Sequence, residues 1–182
     1  MKPYILTGTS GAGKTAILRQ LEADGYSIVE EAATDIIALE QAKGIAEPWT
    51  HPAFLDTIAT LQKQRQLRAL HQAGELQFHD RSAICTAALA AYLGFPITAA
   101  LAQELKRIQS QRIYEQQVFF IRNMGFMTPS EARKITFEES LRFEQIHEET
   151  YRSFGYEIIN IASGKLADRA QAILAAVQNL SS

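Results

Sequence analysis

The strongest constraint on this chain is the octapeptide Gly8-Thr9-Ser10-Gly11-Ala12-Gly13-Lys14-Thr15, which fits G-x-x-x-x-G-K-[ST] at every defined position. It follows the apolar run Tyr4-Ile5-Leu6-Thr7 and leads into Ala16-Ile17-Leu18-Arg19-Gln20-Leu21-Glu22, where apolar residues recur at helical spacing. A strand, a glycine-rich turn and a helix form the context in which this motif is a phosphate-binding P-loop. Gly8 and Gly13 permit conformations and close approaches that a Cβ would obstruct, so successive amides between Gly11 and Thr15 can point at phosphate oxygens. The helix that starts there, through Ala16, adds unpaired N–H groups and the positive end of its dipole. Lys14 is placed to reach the β- and γ-phosphates. The Thr15 hydroxyl is a candidate Mg²⁺ ligand, since Mg²⁺ takes oxygen ligands and keeps several waters.

Five short apolar runs, Tyr4 to Thr7, Tyr26 to Glu30, Leu76 to His79, Val118 to Ile121 and Tyr156 to Ile161, alternate with helical patterns. That alternation predicts an α/β layer built on a parallel sheet. The expected helices are 14–24, 31–43, 52–73, 82–93, 97–115, 137–154 and 165–179, with Gly25, Gly44, Gly74, Gly94 and Gly155 as left-handed stops just past helix ends. At 182 residues, with no repeat, low-complexity tract or linker, the chain reads as one domain over 1–182. Two connections are long for such a layer: the one around Trp49, and 122–136. Long connections in compact domains are often lids or binding loops, so a lid is expected at 122–142.

The second half of a catalytic site is sought at the carboxyl ends of the strands, where open α/β sheets bind ligands. Leu76-Gln77-Phe78-His79-Asp80-Arg81-Ser82 runs a strand into Asp80, which can hold Mg²⁺ through water, take a proton from an attacking hydroxyl, or cap the following helix. Arg81 suits an anionic group or a surface ion pair. Glu30 and Glu31 end the second strand, and alternation sends one of them toward an acceptor pocket; Glu31 is the preferred base. Arg122, Arg133 and Arg142 are candidates to neutralise charge in phosphoryl transfer, Arg142 having a helix ion pair as its plainer role. Ser163, in Ile161-Ala162-Ser163-Gly164-Lys165, can border the nucleotide base. His51, His71 and His147 read as surface or helix-end histidines, and Leu61 to Arg68 as a solvated basic face from which Gln64 or Arg68 can reach an acceptor.

Composition excludes other classes. A net charge of -2 leaves no electrostatic footprint for nucleic acid. No apolar stretch reaches the roughly 18–20 residues needed to span a bilayer, and the first strand leaves no room for a signal peptide. One cysteine, Cys85, forbids an intrachain disulfide and fits a reducing cytoplasm. Four scattered histidines argue against structural zinc. No feature of the sequence fixes an oligomeric state.

The P-loop, together with Glu31-Ala32-Ala33, Asp80-Arg81 and Tyr151-Arg152-Ser153-Phe154-Gly155-Tyr156, resembles a family of small bacterial AAA-labelled ATPases. These are related to the ribosylnicotinamide-kinase domain of the nicotinamide-nucleotide regulator, and more distantly to thymidylate and deoxynucleoside kinases. The resemblance implies a three-layer P-loop NTPase fold with kinase-like sheet order 2-3-1-4-5. It also implies ATP or GTP with Mg²⁺ at Lys14, Thr15 and Asp80, and an arginine-bearing lid after strand four. Two departures stand out. Thr34 and Asp35 follow Glu-Ala-Ala where relatives often carry arginine, and the chain lacks both the arginine finger of ring-forming machines and the Asn-Lys-x-Asp guanine motif, which favours ATP over GTP.

The expected activity is Mg²⁺-dependent transfer of the ATP γ-phosphoryl group to a small hydroxyl-bearing, nucleoside-like acceptor. The rival is a nucleotide-dependent switch or slow NTPase acting on a protein partner. A closed cavity uniting Trp49, Glu31, Arg81 and polar residues of the third helix favours the first; a shallow surface favours the second.

Overall fold

A computed structural model describes residues 1–8, 11–72, 74–122 and 137–180. Its strands are β1 (Lys2–Thr7), β2 (Ser27–Val29), β3 (Leu76–Asp80), β4 (Gln117–Ile121) and β5 (Glu157–Ile161). They form one parallel sheet in the order β2-β3-β1-β4-β5. The helices are α1 (Lys14–Ala23), α2 (Ala33–Ala42), α3 (Ala53–Ala69), α4 (Ala83–Leu93), α5 (Ala99–Gln111), α6 (Phe137–Ser153) and α7 (Leu166–Leu180). Helices cover both faces, giving the three-layer α/β/α P-loop NTPase fold.

Strand alternation explains the layers. On one face Tyr4 and Leu6 of β1 join Phe78, Phe119 and Ile121 against Ile17 and Leu21 of α1 and Ile173 and Val177 of α7. On the other, Ile5 and Val118 meet Ile84 of α4, Leu101, Leu105 and Ile108 of α5, and Tyr151 of α6. Because both faces are covered, the inner parts of β1 and β4 read as near-continuous apolar runs, whereas β3 alternates Leu76 and Phe78 with Gln77 and His79, whose side chains bond each other. The small side chains Ala83, Cys85, Ala87, Ala88 and Ala90 of α4 are all buried, which suits a helix packed on several sides.

Register fixes the site. Leu6 pairs with Asp80, so the P-loop leaves β1 beside the residue that ends β3. Gly25, Gly44, Gly94 and Gly155 have the expected positive φ. Two helix ends differ from expectation. α5 stops at Gln111 because Arg112, a non-glycine residue, takes the left-handed conformation (φ 47). α3 stops at Ala69. The connection near Trp49 contains a 3₁₀ turn, Pro48–Thr50, opened by Pro48. The 61–68 face is not simply solvated: Gln62 and Gln66 are buried in the stripe Leu55, Ile58, Ala59, Gln62, Gln66, Ala69, while Gln64 and Arg68 are exposed.

Candidate active site

The P-loop is built around contacts that only glycine permits. Gly8 has φ +126, and a Cβ there would lie 2.3 Å from the Ile121 carbonyl oxygen at the end of β4. Gly13 caps α1 in the left-handed conformation, and among the described residues no side chain caps the helix. Thr15 and Ala16 are exposed there, and Ala12 is buried. Lys14 is buried, its Nζ donating to the Gly8 carbonyl at 3.1 Å. Burial, followed by the charge of Arg81, lowers its pKa to about 8. Thr9 and Ser10 lie outside the described residues. Ser163 is exposed in the connection from β5 to α7, at the carboxyl edge of the sheet.

Asp80, Arg81 and Glu31 come together beside this loop. Asp80 is buried, and burial raises its carboxyl pKa against the pull of Lys14 and Arg81. Its Oδ1 has no hydrogen-bond partner among the described residues, and Thr15, Glu31 and Asp80 line one cavity of about 180 Å³. These residues fit Mg²⁺. The orphaned carboxylate oxygen of Asp80, with the Thr15 hydroxyl lining the same cavity, is the kind of hard oxygen donor this ion takes. Helix capping falls to Ser82, whose hydroxyl accepts from the Ile84 N–H, so Asp80 is not needed for it.

Arg81 adopts φ 68, a conformation that costs a non-glycine residue about 1–3 kcal/mol and tends to occur where function demands it. Its amide donates to the Leu6 carbonyl at 3.0 Å, extending the β1–β3 ladder. Its Nε donates to Glu31 Oε2 at 2.8 Å, with both side chains largely buried. Burial opposes the guanidinium charge, yet Glu31, Cys85 and Asp80 raise its pKa above the ordinary arginine value. Glu31 is braced further: Thr34 donates to Oε1, and Arg65 donates to its backbone carbonyl while pairing with Asp35. Thr34 directly, and Asp35 through Arg65, thus brace the glutamate. Glu30 instead pairs with Arg19 at the surface.

A second cavity, of about 580 Å³, opens beyond Arg81. Its walls are mainly apolar, with Trp49, Phe54, Ile58, Leu89, Tyr92 and Phe143 among them, and its polar points include Glu47, Gln62, Arg81, Thr86 and His147. The Ala32 N–H donates to Gln62 Oε1 at 3.1 Å, which fixes the amide orientation, and Gln62 Nε2 is buried without a hydrogen-bond partner among the described residues. A donor is therefore presented to whatever fills the cavity.

His147 corrects the sequence reading: it is wholly buried rather than at the surface, whereas His51 and His71 are exposed. Its Nδ1 bonds the Phe143 carbonyl at 2.9 Å, and its Nε2 lies 3.2 Å from Arg81 Nη1. A carbonyl only accepts, so Nδ1 carries the proton and Nε2 accepts from Arg81. Burial, then the Arg81 charge, lowers the imidazole pKa to about 3. The overlooked signal was spacing. Phe143, His147 and Tyr151 recur every fourth residue, and all three are buried.

Arg122 sends its guanidinium to Glu144 at 2.7 Å and Glu148 at 2.9 Å, and its Cζ lies 4.5 Å from the centroid of the Phe120 ring, so it ties the end of β4 to α6. Of the expected lid at 122–142, residues 123–136, Arg133 among them, fall outside the described residues, while 137–142 form the start of α6, where Arg142 is exposed.

Strand order and helix placement define the P-loop NTPase fold with a kinase-like sheet order. The family model AAA_28, described as an AAA domain, matches residues 3–169, and the chain belongs to that family. No curated protein matches the sequence. Among solved structures, deoxyadenosine kinase from M. mycoides with the products dCMP and dCDP is 14% identical with a TM-score of 0.62, covering 98% of this chain and 100% of its own. The same kinase with bound dCTP is 18% identical with a TM-score of 0.63 and the same coverage. The NadR protein in complex with NAD and AMP-PNP is 19% identical with a TM-score of 0.69, covering 97% of this chain and 49% of its own. At these identities the likeness is one of fold. Among the described residues no helix is long and apolar enough to cross a membrane.

Proposed function

We propose that the chain, read as a single domain over 1–182, is an ATP-dependent phosphotransferase acting on the hydroxyl of a small, nucleoside-like acceptor. One observation carries this reading: the Glu31–Arg81 pair stands between two cavities, with Glu31 lining the one that holds Thr15 and Asp80, and Arg81 lining the one of about 580 Å³. That volume lies within the range of small-molecule pockets, and its apolar walls with a few polar points are what such sites require. The cavity unites Trp49, Arg81 and Gln62 of α3, three of the groups that the kinase reading brings together, while Glu31 lines the smaller cavity with Thr15 and Asp80. The fold shared with deoxyadenosine kinase and NadR supports a nucleoside-like acceptor, and the missing guanine motif favours ATP over GTP.

Glu31 accepts the proton of the acceptor hydroxyl as its oxygen bonds the γ-phosphorus and the bond to the bridging oxygen of ADP breaks. Arg81 orients that carboxylate. Lys14 and the amides of Gly8 to Ala16 hold the β- and γ-phosphates, acting by position and charge. Mg²⁺, held by Thr15 and Asp80, would supply charge neutralisation at the transferred group. Arg122, at the end of β4, and Arg133, within the 122–142 segment expected as a lid, are further cationic candidates, and Ser163 is the candidate to border the base.

The test is ADP formation by the wild-type chain with Mg²⁺-ATP and, separately, 2′-deoxyadenosine, 2′-deoxycytidine, thymidine and ribosylnicotinamide. Stimulation by one acceptor class, lost in Asp80→Asn, is expected. A rate indifferent to every acceptor would refute the reading.

A further inference from the structure

We propose that His147 is a positioning residue for phosphoryl transfer, holding Arg81 from the side opposite Glu31 so that the carboxylate is presented to the acceptor hydroxyl; this rests on the phosphotransferase reading above. Arg81 has two anchors, Glu31 Oε2 on its Nε at 2.8 Å and His147 Nε2 near Nη1 at 3.2 Å. A planar guanidinium gripped at two nitrogens cannot swing about either bond alone. The second anchor is neutral. A carboxylate in that place would compete with Glu31 for the charge of Arg81, whereas an uncharged imidazole fixes the plane and leaves the charge to Glu31.

The anchor is itself fixed. The Phe143 carbonyl holds the proton on Nδ1, and the Phe143 ring packs edge-on against the imidazole, with centroids 4.2 Å apart. Both belong to α6, which is tied to the end of β4 by Arg122 through Glu144 and Glu148. Tyr151, one turn further along the same helix, bonds Ser82 and Cys85 at 3.0 Å each. α6 thus grips the Arg81-Ser82 turn at two levels, and His147 is the contact that touches the guanidinium. A base displaced by as little as 1 Å loses on the order of a hundredfold in rate, so the orientation of Arg81 bears directly on turnover.

Two variants separate this role from simple packing. His147→Phe keeps an aromatic ring against Phe143 and removes the acceptor nitrogen; His147→Gln replaces the ring with an amide oxygen that can accept from Arg81. With the most active nucleoside of the four named above, His147→Phe is expected to lower kcat by about tenfold to a hundredfold. The KM for ATP and the melting temperature should stay close to wild type, and His147→Gln should recover most of the loss. Wild-type kcat in His147→Phe, or no recovery in His147→Gln at equal stability, overturns the role. Independently of any variant, the ¹⁵N spectrum of the wild-type imidazole at neutral pH should show the Nδ1–H tautomer; an Nε2–H tautomer or a cation overturns it as well. If the wild-type chain shows no acceptor-stimulated turnover, the phosphotransferase reading falls and this role with it, an outcome distinct from a His147 effect missing in an active enzyme.

Discussion

Gly8→Ala probes the geometry of the phosphate loop at its tightest point. A Cβ on Gly8 would lie 2.3 Å from the oxygen and 3.2 Å from the carbon of the Ile121 carbonyl. That carbonyl cannot retreat cheaply, because β4 is paired with β1 on one side and β5 on the other. Holding alanine at φ +126 costs about 1–3 kcal/mol in backbone strain. The steric conflict adds about 1–3 kcal/mol more. Together these are a large share of the roughly 5–15 kcal/mol that stabilises a typical domain. Gly11→Ala supplies the comparison: its φ is +81, but no atom lies within 4 Å of the added carbon, so it carries the strain without the clash. At about 2–4 °C per kcal/mol for a chain of this size, the steric part separates the two variants by about 2–12 °C. Thermal melts and urea midpoints without nucleotide measure the difference. A Gly8→Ala protein as stable as Gly11→Ala would refute the packing of the loop against β4.

Other predictions rest on single contacts. Lys14→Ala should abolish Mg²⁺-ATP binding in calorimetry, and full retention of affinity contradicts the phosphate role of the loop. Gln62→Leu should raise the acceptor KM about two- to tenfold, since one neutral hydrogen bond is worth roughly 0.5–1.5 kcal/mol, while leaving the KM for ATP in place; equal acceptor KM values would remove Gln62 from the pocket's recognition. His147 folds neutral, with a pKa of about 3 against an ordinary 6.5. The unfolded chain therefore takes up the proton first, and stability is complete above pH 6.5 and lost as pH falls toward 3. Between pH 7 and pH 5 this one group should cost about 2 kcal/mol, read by urea unfolding as a steeper decline in wild type than in His147→Gln. Equal slopes would contradict the buried neutral histidine.

The sheet was legible because each element obeys a local rule. Tyr4 to Thr7 and Val118 to Ile121 are apolar throughout, as strands buried on both faces must be, and Gly25, Gly44, Gly94 and Gly155 mark stops that a positive φ requires. The proposed nucleotide half of the site was equally plain, since its motif is the consecutive stretch Gly8 to Thr15. The acceptor half was not. Gln62, Thr86 and His147 lie on three different helices, and only the packing of α3, α4 and α6 brings them to one cavity. Arg65 illustrates the same limit: it passed as part of a basic face, yet it clamps the Glu31 carbonyl, thirty-four residues away in sequence. Polar residues inside an apolar stripe, Gln62 in α3 and His147 in α6, were the available signal.

The most direct measurement follows the label from [γ-³²P]ATP in the presence of Mg²⁺ and the four nucleosides. If the chamber beyond Arg81 is an acceptor site, label appears on a nucleoside as its phosphate ester, and Asp80→Asn abolishes the transfer. Label recovered only as inorganic phosphate, whichever nucleoside is present, would contradict phosphoryl transfer and leave an NTPase.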